Sequence, residues 1–406
     1  MNDFRKNDPG QKNIRELLVA FSSIVYSSLT KLEHYIASER FRGHDPYDAL
    51  TSPVFNFPFF RSNKFVRLAA QQIGRKLPFN FRPFFAVPKG KNPVTLGLSI
   101  QAVGYLLEAF PDRRDELLGL GNKLVQEIEG VSTKGFSGHC WGYDFYWQAR
   151  YGTIPAFFPT VVATGIVTNG LFEYHRHSKN EQALEMCKSA SRFVLNDLYR
   201  TVEGETFCFS YFPGDKQVVY NATMKGARLL AQVYSVTGEK NLCEEAEKTV
   251  RFVVNNQRPD GSWTYSHGDS RTWVDNFHTG YILDCLDEFM KMIGRSEYKS
   301  YLEKGLAFYV NNFFVDKRIP KYYSNAVYPL DLTAGAQSIL TLARFGHLKT
   351  AASVAVYLIE EMQDEEGFFY YRKGRFLKNK ISYMRWSNAW MYAALSYLQL
   401  RIHDLV

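Results

Sequence analysis

The sequence has few cysteines and lacks any long apolar run. Its 406 residues include five cysteines at unpaired spacings, which are Cys140, Cys187, Cys208, Cys243 and Cys285. An odd count without paired spacing argues against a disulfide framework. No stretch reaches the roughly 18 apolar residues that a membrane-spanning helix needs. The polar N-terminus is also not followed by the apolar core of a secretion signal. We therefore expect a reduced, cytoplasmic protein.

Motifs that bind nucleotides, nucleic acids or metals are also missing. The net charge is +8, but the Lys and Arg residues are scattered, which excludes a nucleic-acid signature and allows a mildly anionic substrate. No glycine-rich phosphate loop is present. His139-Cys140 and His267 are similar to parts of the zinc motif of lanthionine cyclases. Ser266 stands where a second cysteine ligand is needed, which leaves the ligand set incomplete. The sequence predicts no metal and no cofactor.

Aromatic residues, by contrast, are abundant. They make up 16% of the chain, with 32 Phe, 26 Tyr and 6 Trp. This excess is more than helix packing requires, and it suits a cleft that stacks on flat ligand faces. Sugars, bases and isoprenoids all offer such faces.

From residue 92 onward the chain repeats a helical unit. Helices are predicted to begin at six similar junctions, near Asn92, Pro159, Asn221, Asn276, Asp331 and Ser387. Each carries a small residue shortly after its start: Gly97, Gly165, Gly226, Gly280, Gly335 and Ala393. The intervals between these small residues run from 54 to 68 residues. Second helices are predicted at 112–130, 180–196, 239–256, 296–312 and 347–362. Aromatic, strand-like pieces follow several of them, at 207–211, 263–265, 322–323 and 368–371.

This pattern predicts an all-α fold, a closed (α/α)6 toroid of six helical hairpins with short β-hairpins at one rim. We expect residues 1–406 to form a single domain. The amphipathic helix 12–39 is predicted to be the closing outer helix, and residues 40–91 an irregular packed segment. Within that segment, FRGHDPYDALTSP (41–53) is predicted to be a solvated loop. Glycine in the inner helices allows the close approach that a crowded ring requires.

The repeat layout resembles the six-hairpin toroid superfamily of glycosidases, polysaccharide lyases and sugar epimerases, over roughly residues 92–402. FRGHDPYDALTSP together with WVDNFHTGYIL (273–283) also resembles a poorly characterised bacterial family that is associated with surface-polysaccharide gene clusters. The first resemblance implies a fold, which does not by itself define a function. The second implies a role in surface-polysaccharide metabolism.

Polar and aromatic residues concentrate at the predicted helix starts, where six positive helix ends would converge on a bowl. The densest stretch is Trp263–Leu283, and a second rim segment spans 139–150 and ends at Arg150. We predict four catalytic residues: Asp144, Asp269, Asp275 and His278. We predict that substrate is bound by Tyr143, His139, Trp147, Tyr265, His267, Arg271, Trp273, Asn276, Asp331, Arg385 and Trp386.

The sequence neighbours of Asp275 and Asp144 suggest different catalytic roles for the two carboxyl groups. Asp275 lies beside a helix start, which favours its ionised form and suits a base or nucleophile. Asp144 lies between two aromatic residues, and burial would raise its pKa towards that of a general acid. A purely structural interpretation also exists, in which Asp275 caps a helix and His278 is a core histidine.

Three functions fit this bowl. The first is a carbohydrate-active enzyme, a glycoside hydrolase with paired aspartates that acts on a bacterial surface polysaccharide or its oligosaccharide precursor. The alternative is a lyase or 5-epimerase for uronic-acid polysaccharides that uses His, Tyr and Arg. The second alternative is a glycan-binding protein without turnover.

Overall fold

A computed structural model describes residues 9–148 and 152–405, with side chains from residue 16 onward within the first helix. Arg150 lies outside the described residues. Three helices precede the repeats: α1 (Pro9–Ser38), α2 (Pro58–Ser62) and α3 (Lys64–Lys76). The repeats supply α4 (Pro93–Ala109), α5 (Arg114–Gly130), α6 (Val161–Ser178), α7 (Glu181–Asp197), α8 (Tyr220–Thr237), α9 (Lys240–Asn255), α10 (Asn276–Ile293), α11 (Lys299–Asn312), α12 (Leu332–Arg344), α13 (Leu348–Met362) and α14 (Trp390–His403).

The even-numbered helices from α4 to α14 form a closed inner ring. Each packs against the next, and α14 packs against α4. The odd-numbered helices α5 to α13 lie outside and pack against their inner neighbours, while α1 packs against α13 and α14. The predicted (α/α)6 toroid is therefore confirmed, whereas the assignment of the whole chain to one domain stays a prediction.

Glycine makes the close packing of the ring possible. A Cβ atom at Gly97 would lie 2.7 Å from the backbone of Val167, and one at Gly165 would lie 2.6 Å from the Cβ of Lys225. Neither position has room for a side chain. The inner helices are buried on nearly all sides, as the apolar sequence of α4 illustrates.

Short antiparallel strands join the helices. The paired strands are β1 (Trp147–Gln148) with β2 (Thr153–Ile154), β3 (Arg200–Glu203) with β4 (Thr206–Phe209), β5 (Phe314–Val315) with β6 (Ile319–Pro320), and β7 (Leu330–Asp331) with β8 (Tyr370–Lys373) and β9 (Lys378–Ser382). In the second pair, Arg200 faces Phe209 and Glu203 faces Thr206.

Two sequence expectations differ from the structure. The predicted strand-like pieces 263–265 and 322–323 are not strands. Trp263 is buried, and its Nε1 donates to the carbonyl of Val253 at 2.9 Å. The segment 41–53 is not a solvated loop. Asp45 and Asp48 within it are each only 5% exposed, because they pair with buried arginines.

The five cysteines are free thiols, and all of them are buried. Within the described ranges, no helix combines the length and the apolar character that crossing a bilayer requires. The cytoplasmic location stays a prediction.

Candidate active site

A cavity of about 390 Å³ opens where the inner helices begin. Val162, Asn221, His278, Thr333 and Trp390 line it from the first turns of α6, α8, α10, α12 and α14. The remaining lining residues come from the same inner helices, from the connecting segments and from α3, and most are aromatic: Tyr47, Arg75, Tyr143, Phe145, Trp147, Ile166, Tyr211, Tyr265, Trp273, Phe277, Tyr281, Tyr322, Tyr323, Arg385 and Trp386. Helix starts thus surround a mostly aromatic cavity.

Asp275 and His278 form a hydrogen-bonded pair at the start of α10. The Oδ1 atom of Asp275 accepts the backbone N–H of His278 at 2.9 Å, which caps the helix. The Oδ2 atom lies 2.6 Å from Nδ1 of His278 and accepts the indole N–H of Trp273 at 3.1 Å. Because a carboxylate only accepts, Nδ1 carries the proton. Nε2 makes no hydrogen bond with any described residue and remains available to a ligand.

Stacked aromatic rings form two walls of the cavity. Tyr265 and Trp273 stack with their ring centres 4.8 Å apart, and Tyr143 and Phe145 stack at 5.4 Å with nearly parallel planes. The edge of Tyr265 also contacts His278 at 4.7 Å between centres. Rings held in this way offer flat surfaces for the apolar faces of sugars.

Arg385 provides a buried positive charge beside these rings. Its Nε and Nη2 atoms donate to the carboxylate of Asp45 at 2.5 and 2.9 Å. The guanidinium lies over the rings of Tyr143 and Trp386 at 4.9 and 5.0 Å. Asp45 therefore fixes the plane of the guanidinium while the group still lines the cavity.

Arg75, on α3, is a second cation in the cavity wall. Its Nη1 donates to the hydroxyl of Tyr47 at 3.1 Å and its Nη2 to Gln72 at 3.0 Å. Among the residues that the structure describes, no carboxylate pairs with Arg75. Its charge is thus available to an anionic ligand.

Asp331 lies behind the cavity wall rather than in it. Its side chain is fully buried, caps α12 through Thr333 at 3.0 Å, and pairs with Arg372 at 2.5 Å. It also accepts the indole N–H of Trp386 at 3.1 Å. The carboxylate thereby orients a ring of the cavity.

Asp144 lies near Arg385 but does not line the cavity. Its Oδ1 accepts from the amide of Asn92 at 2.5 Å, and its carboxylate approaches Gly90 so closely that a Cβ there would lie 2.0 Å from Oδ2. Burial, together with the negative charge of Asp45, raises the pKa of the Asp144 carboxyl to about 7. A catalytic role for Asp144 stays a prediction.

The other predicted site residues lie outside the lining. Asp269 pairs with Arg271 at 2.6 Å, and the guanidinium of Arg271 lies over the ring of Tyr265 at 5.3 Å from its centre. This pairing lowers the pKa of the Asp269 carboxyl. His267 bonds the hydroxyl of Tyr220 at 2.8 Å, and His139 stacks on Trp141.

Asn276 is fully buried and joins inner and outer helices. It accepts a hydrogen bond from the hydroxyl of Tyr309 at 2.7 Å and donates one to the carbonyl of Lys321 at 3.0 Å.

Seven of the predicted residues line one cavity: His278, Tyr143, Trp147, Tyr265, Trp273, Arg385 and Trp386. Sequence reasoning missed Arg75 and Tyr47, although Tyr47 belongs to the quoted segment 41–53.

No group of three or more His, Cys, Asp or Glu side chains within the described ranges is arranged to hold a metal ion. Cys140, which the zinc motif would require, is buried against the carbonyl of Thr133 at 3.6 Å. Burial raises the pKa of this thiol to about 12.

No protein-family model and no curated protein matches the sequence. Solved structures do match. A heparin-specific unsaturated glucuronyl hydrolase gives a TM-score of 0.61 at 12% identity, covering 95% of this chain and 97% of that chain. Cellobiose 2-epimerase from Bacillus thermoamylovorans gives 0.59 at 11% identity, with 79% and 90% covered. A family 76 glycoside hydrolase from a bovine Bacteroides thetaiotaomicron strain gives 0.57 at 12%, with 77% and 69% covered. The chain thus shares the six-hairpin toroid fold of these enzymes.

Proposed function

We propose that the cavity binds a carbohydrate and that His278 takes a proton from the carbon beside the carbonyl or carboxylate of a sugar. The C–H electron pair then moves towards that carbonyl or carboxylate and forms an enediolate-like intermediate. Delivery of a proton from water to the opposite face gives an epimer, whereas departure of the neighbouring substituent as its alcohol, protonated by the His278 imidazolium, gives an unsaturated sugar. This is the chemistry of an epimerase or a lyase.

The observation that carries the proposal is the position of His278. It is the sole imidazole in the cavity lining, and no Asp or Glu side chain lines the cavity, within residues 9–148 and 152–405. Asp275 holds the ring with Nδ1 protonated, so Nε2 has the free electron pair that a base requires. Burial raises the pKa of Tyr143 and Tyr281, which keeps these phenols protonated and therefore unable to take a proton from the substrate.

Two arginines of the cavity can stabilise the negative charge that develops on the substrate. Arg385 is fixed by Asp45, and Arg75 has no carboxylate partner among the described residues. Two guanidinium groups held before substrate arrives stabilise an enediolate without further reorganisation. They also favour a substrate with its own negative charge, such as a uronic acid.

The proposed substrate is a bacterial surface polysaccharide or its oligosaccharide precursor. Support comes from the aromatic walls, from the resemblance of segments 41–53 and 273–283 to a surface-polysaccharide family, and from the shared fold. One similar structure is a cellobiose 2-epimerase and another a hydrolase of unsaturated glucuronyl groups. Both act on saccharides.

Glycoside hydrolysis is the second candidate. The pKa of the Asp144 carboxyl, raised to about 7, is that of a general acid near neutral pH. Such an enzyme needs a second carboxylate across the scissile bond. Asp275 is the predicted partner, although Trp273 and His278 occupy its Oδ2 atom. Glycan binding without turnover is the remaining alternative.

Incubation of reducing disaccharides and uronic-acid oligosaccharides with the enzyme in deuterated water tests the proposal. An epimerase should give an epimer with deuterium at the carbon beside the carbonyl or carboxylate, and a lyase should give an unsaturated product that has lost the hydrogen of that carbon, as read by NMR and mass spectrometry. New reducing ends with neither deuterium on carbon nor an unsaturated product would support hydrolysis instead and would reject proton abstraction.

His278→Asn is the diagnostic variant. It should abolish both deuterium incorporation and formation of the unsaturated product, while the melting temperature stays near that of the parent. The matched control is His139→Asn, because His139 lies outside the cavity and should tolerate the same change. Equal loss of activity in both variants would show that His278 has no special role.

A further inference from the structure

One side of the molecule exposes phenylalanine side chains to solvent. We call it the phenylalanine surface and define it by Phe57, Phe59, Phe65, Phe79, Phe84 and Phe376. Each side chain is more than half exposed, and Phe84 and Phe376 reach 85% and 88%. Large exposed apolar patches of this kind mark interaction sites in folded proteins.

The two chain segments that carry these rings contain basic residues and no acidic ones. Residues 49–107 contain nine Phe, eight Lys or Arg, and no Asp or Glu. Residues 367–403, which include the β8–β9 hairpin, contain seven Lys or Arg and again no acidic residue. Glutamates from elsewhere pair with Lys89, Lys373 and Lys378. Four basic residues are exposed and form no ion pair with a described residue, namely Lys64, Lys76, Arg375 and Lys380. These four supply the charge around the rings.

These two segments contact each other. The side-chain amide of Asn379, in β9, donates to the carbonyl of Leu77 at 2.9 Å, which ties the hairpin to the end of α3. Phe79 and Lys380 line the same groove, which has a volume of about 490 Å³. The rings of the α2 region contact one another, as Phe59 and Phe60 do at 5.3 Å.

Helix α3 presents its apolar stripe outward. Phe65, Ala69 and Ile73 recur every four residues and are exposed, whereas Gln71 on the opposite face is buried. Gln71 is held there, because its side-chain oxygen accepts the backbone N–H of Gln148 at 2.9 Å. Exposed Lys64 and Lys76 stand at the two ends of the stripe. An apolar face flanked by lysines is typical of helices that lie in a lipid interface.

We propose that the phenylalanine surface docks on an anionic lipid bilayer. The exposed rings enter the headgroup region, and the surrounding lysines and arginines pair with lipid phosphates. A second copy of the chain is a poorer occupant, because its identical surface would bring two sets of positive charges together. Charge complementarity therefore favours the membrane.

Docking would place the cavity near the lipid surface. Helix α3 carries Arg75 into the cavity wall, and the neighbouring Ile73 and Lys76 belong to its exposed side. Substrate at a membrane surface would then lie within reach of the site. The proposal does not depend on the chemistry proposed for His278.

Co-sedimentation of the full chain with lipid vesicles provides the test. The probes are vesicles of phosphatidylglycerol with phosphatidylcholine, and vesicles of phosphatidylcholine alone. We expect binding to the anionic vesicles to be about tenfold tighter, and to weaken as salt screens the charges. The double variants Phe84→Ser/Phe376→Ser and Lys64→Gln/Arg375→Gln should each reduce the bound fraction several-fold.

Two variants outside the surface serve as matched controls. Val202→Ser removes an exposed apolar side chain from β3, and Lys299→Gln removes an exposed charge from α11. Circular dichroism verifies that every variant is folded. The proposal is overturned if controls and test variants bind alike, or if the chain ignores anionic vesicles at low salt. A dimer in sedimentation velocity that Phe84→Ser/Phe376→Ser dissociates would instead assign the surface to self-association.

Discussion

The carboxylate of Asp275 has two roles. One oxygen caps helix α10, and the other accepts a hydrogen bond from Nδ1 of His278 at 2.6 Å. A cap alone requires only one acceptor atom. The indole N–H of Trp273 donates to the same oxygen, so Asp275 positions both a ring of the cavity wall and the candidate base His278. The sequence offered capping and catalysis as alternatives, but the geometry is compatible with both.

Replacing Asp275 with Asn separates these tasks. The asparagine oxygen can still cap the helix, but an amide cannot accept from Trp273 and Nδ1 through its nitrogen. We expect kcat to fall by about 10²–10⁴-fold, the usual contribution of a positioned acid or base. The melting temperature should hardly change. Steady-state kinetics and calorimetry measure both.

Asn180→Ser is the control for this variant, because Asn180 caps the outer helix α7 through the N–H of Ala183 at 2.8 Å. Its activity should equal that of the parent. Full activity in Asp275→Asn would leave Asp275 with the capping role alone.

A second prediction concerns the buried pair Asp45 and Arg385, whose side chains are only 6% and 8% exposed. Removing one partner leaves an uncompensated buried charge, so Asp45→Asn and Arg385→Gln should each cost about 3–5 kcal/mol of unfolding free energy. The double variant should cost much less than the sum of the two. Urea unfolding measures all three values.

The exposed pair Arg318 and Glu360 provides the comparison, since both side chains are about half exposed. Its double-mutant cycle should give at most about 1 kcal/mol of coupling. Additive costs at Asp45 and Arg385 would mean that the two charges do not stabilise each other.

The ring could be predicted because its signal is local and repeated. Gly97 and Gly165 recur at the start of inner helices, and helix packing alone requires them there. The site is harder to predict, since it depends on contacts between distant residues. Asp45 and Arg385 are 340 residues apart, and no local pattern reveals that they pair. Nothing in the sequence around Arg75 distinguishes it from other arginines on helices, and only the packing of α3 places it in the cavity wall. His278 was predictable because it follows a capping residue on an inner helix.

A third prediction follows from the burial of Asp144. Its carboxyl has a pKa raised from the ordinary 3.8 to about 7, chiefly by burial and further by Asp45. Between pH 3.8 and about 7 the folded chain holds a proton that the unfolded chain has lost. The free energy of unfolding therefore falls as the pH rises through this range. Asp144→Asn should remove this fall, and above about pH 7 it should be more stable by on the order of 4 kcal/mol.

Unfolding free energy measured across that pH range tests the prediction for Asp144. Glu303→Gln is the control, because this carboxylate on α11 is exposed and should leave the pH profile unchanged. An unchanged profile in Asp144→Asn would show that the carboxyl ionises normally in the folded protein.

The last prediction concerns Lys225, which lies beneath the floor of the cavity. Its side chain is buried in α8, its ammonium lies 3.5 Å from the ring centre of Tyr281, and it borders a small void of about 30 Å³. Burial lowers the pKa of this lysine from 10.5 to about 7. Between those values the unfolded chain binds a proton that the folded chain lacks, so stability rises with pH across the window. Lys225→Met keeps the approximate shape of the side chain and removes its charge. It should therefore raise the melting temperature at neutral pH and remove the increase of stability with pH. Lys299→Met, at an exposed position on α11, should change neither quantity. A lower melting temperature in Lys225→Met would show that the ammonium stabilises the ring through its contact with Tyr281 by more than its burial costs.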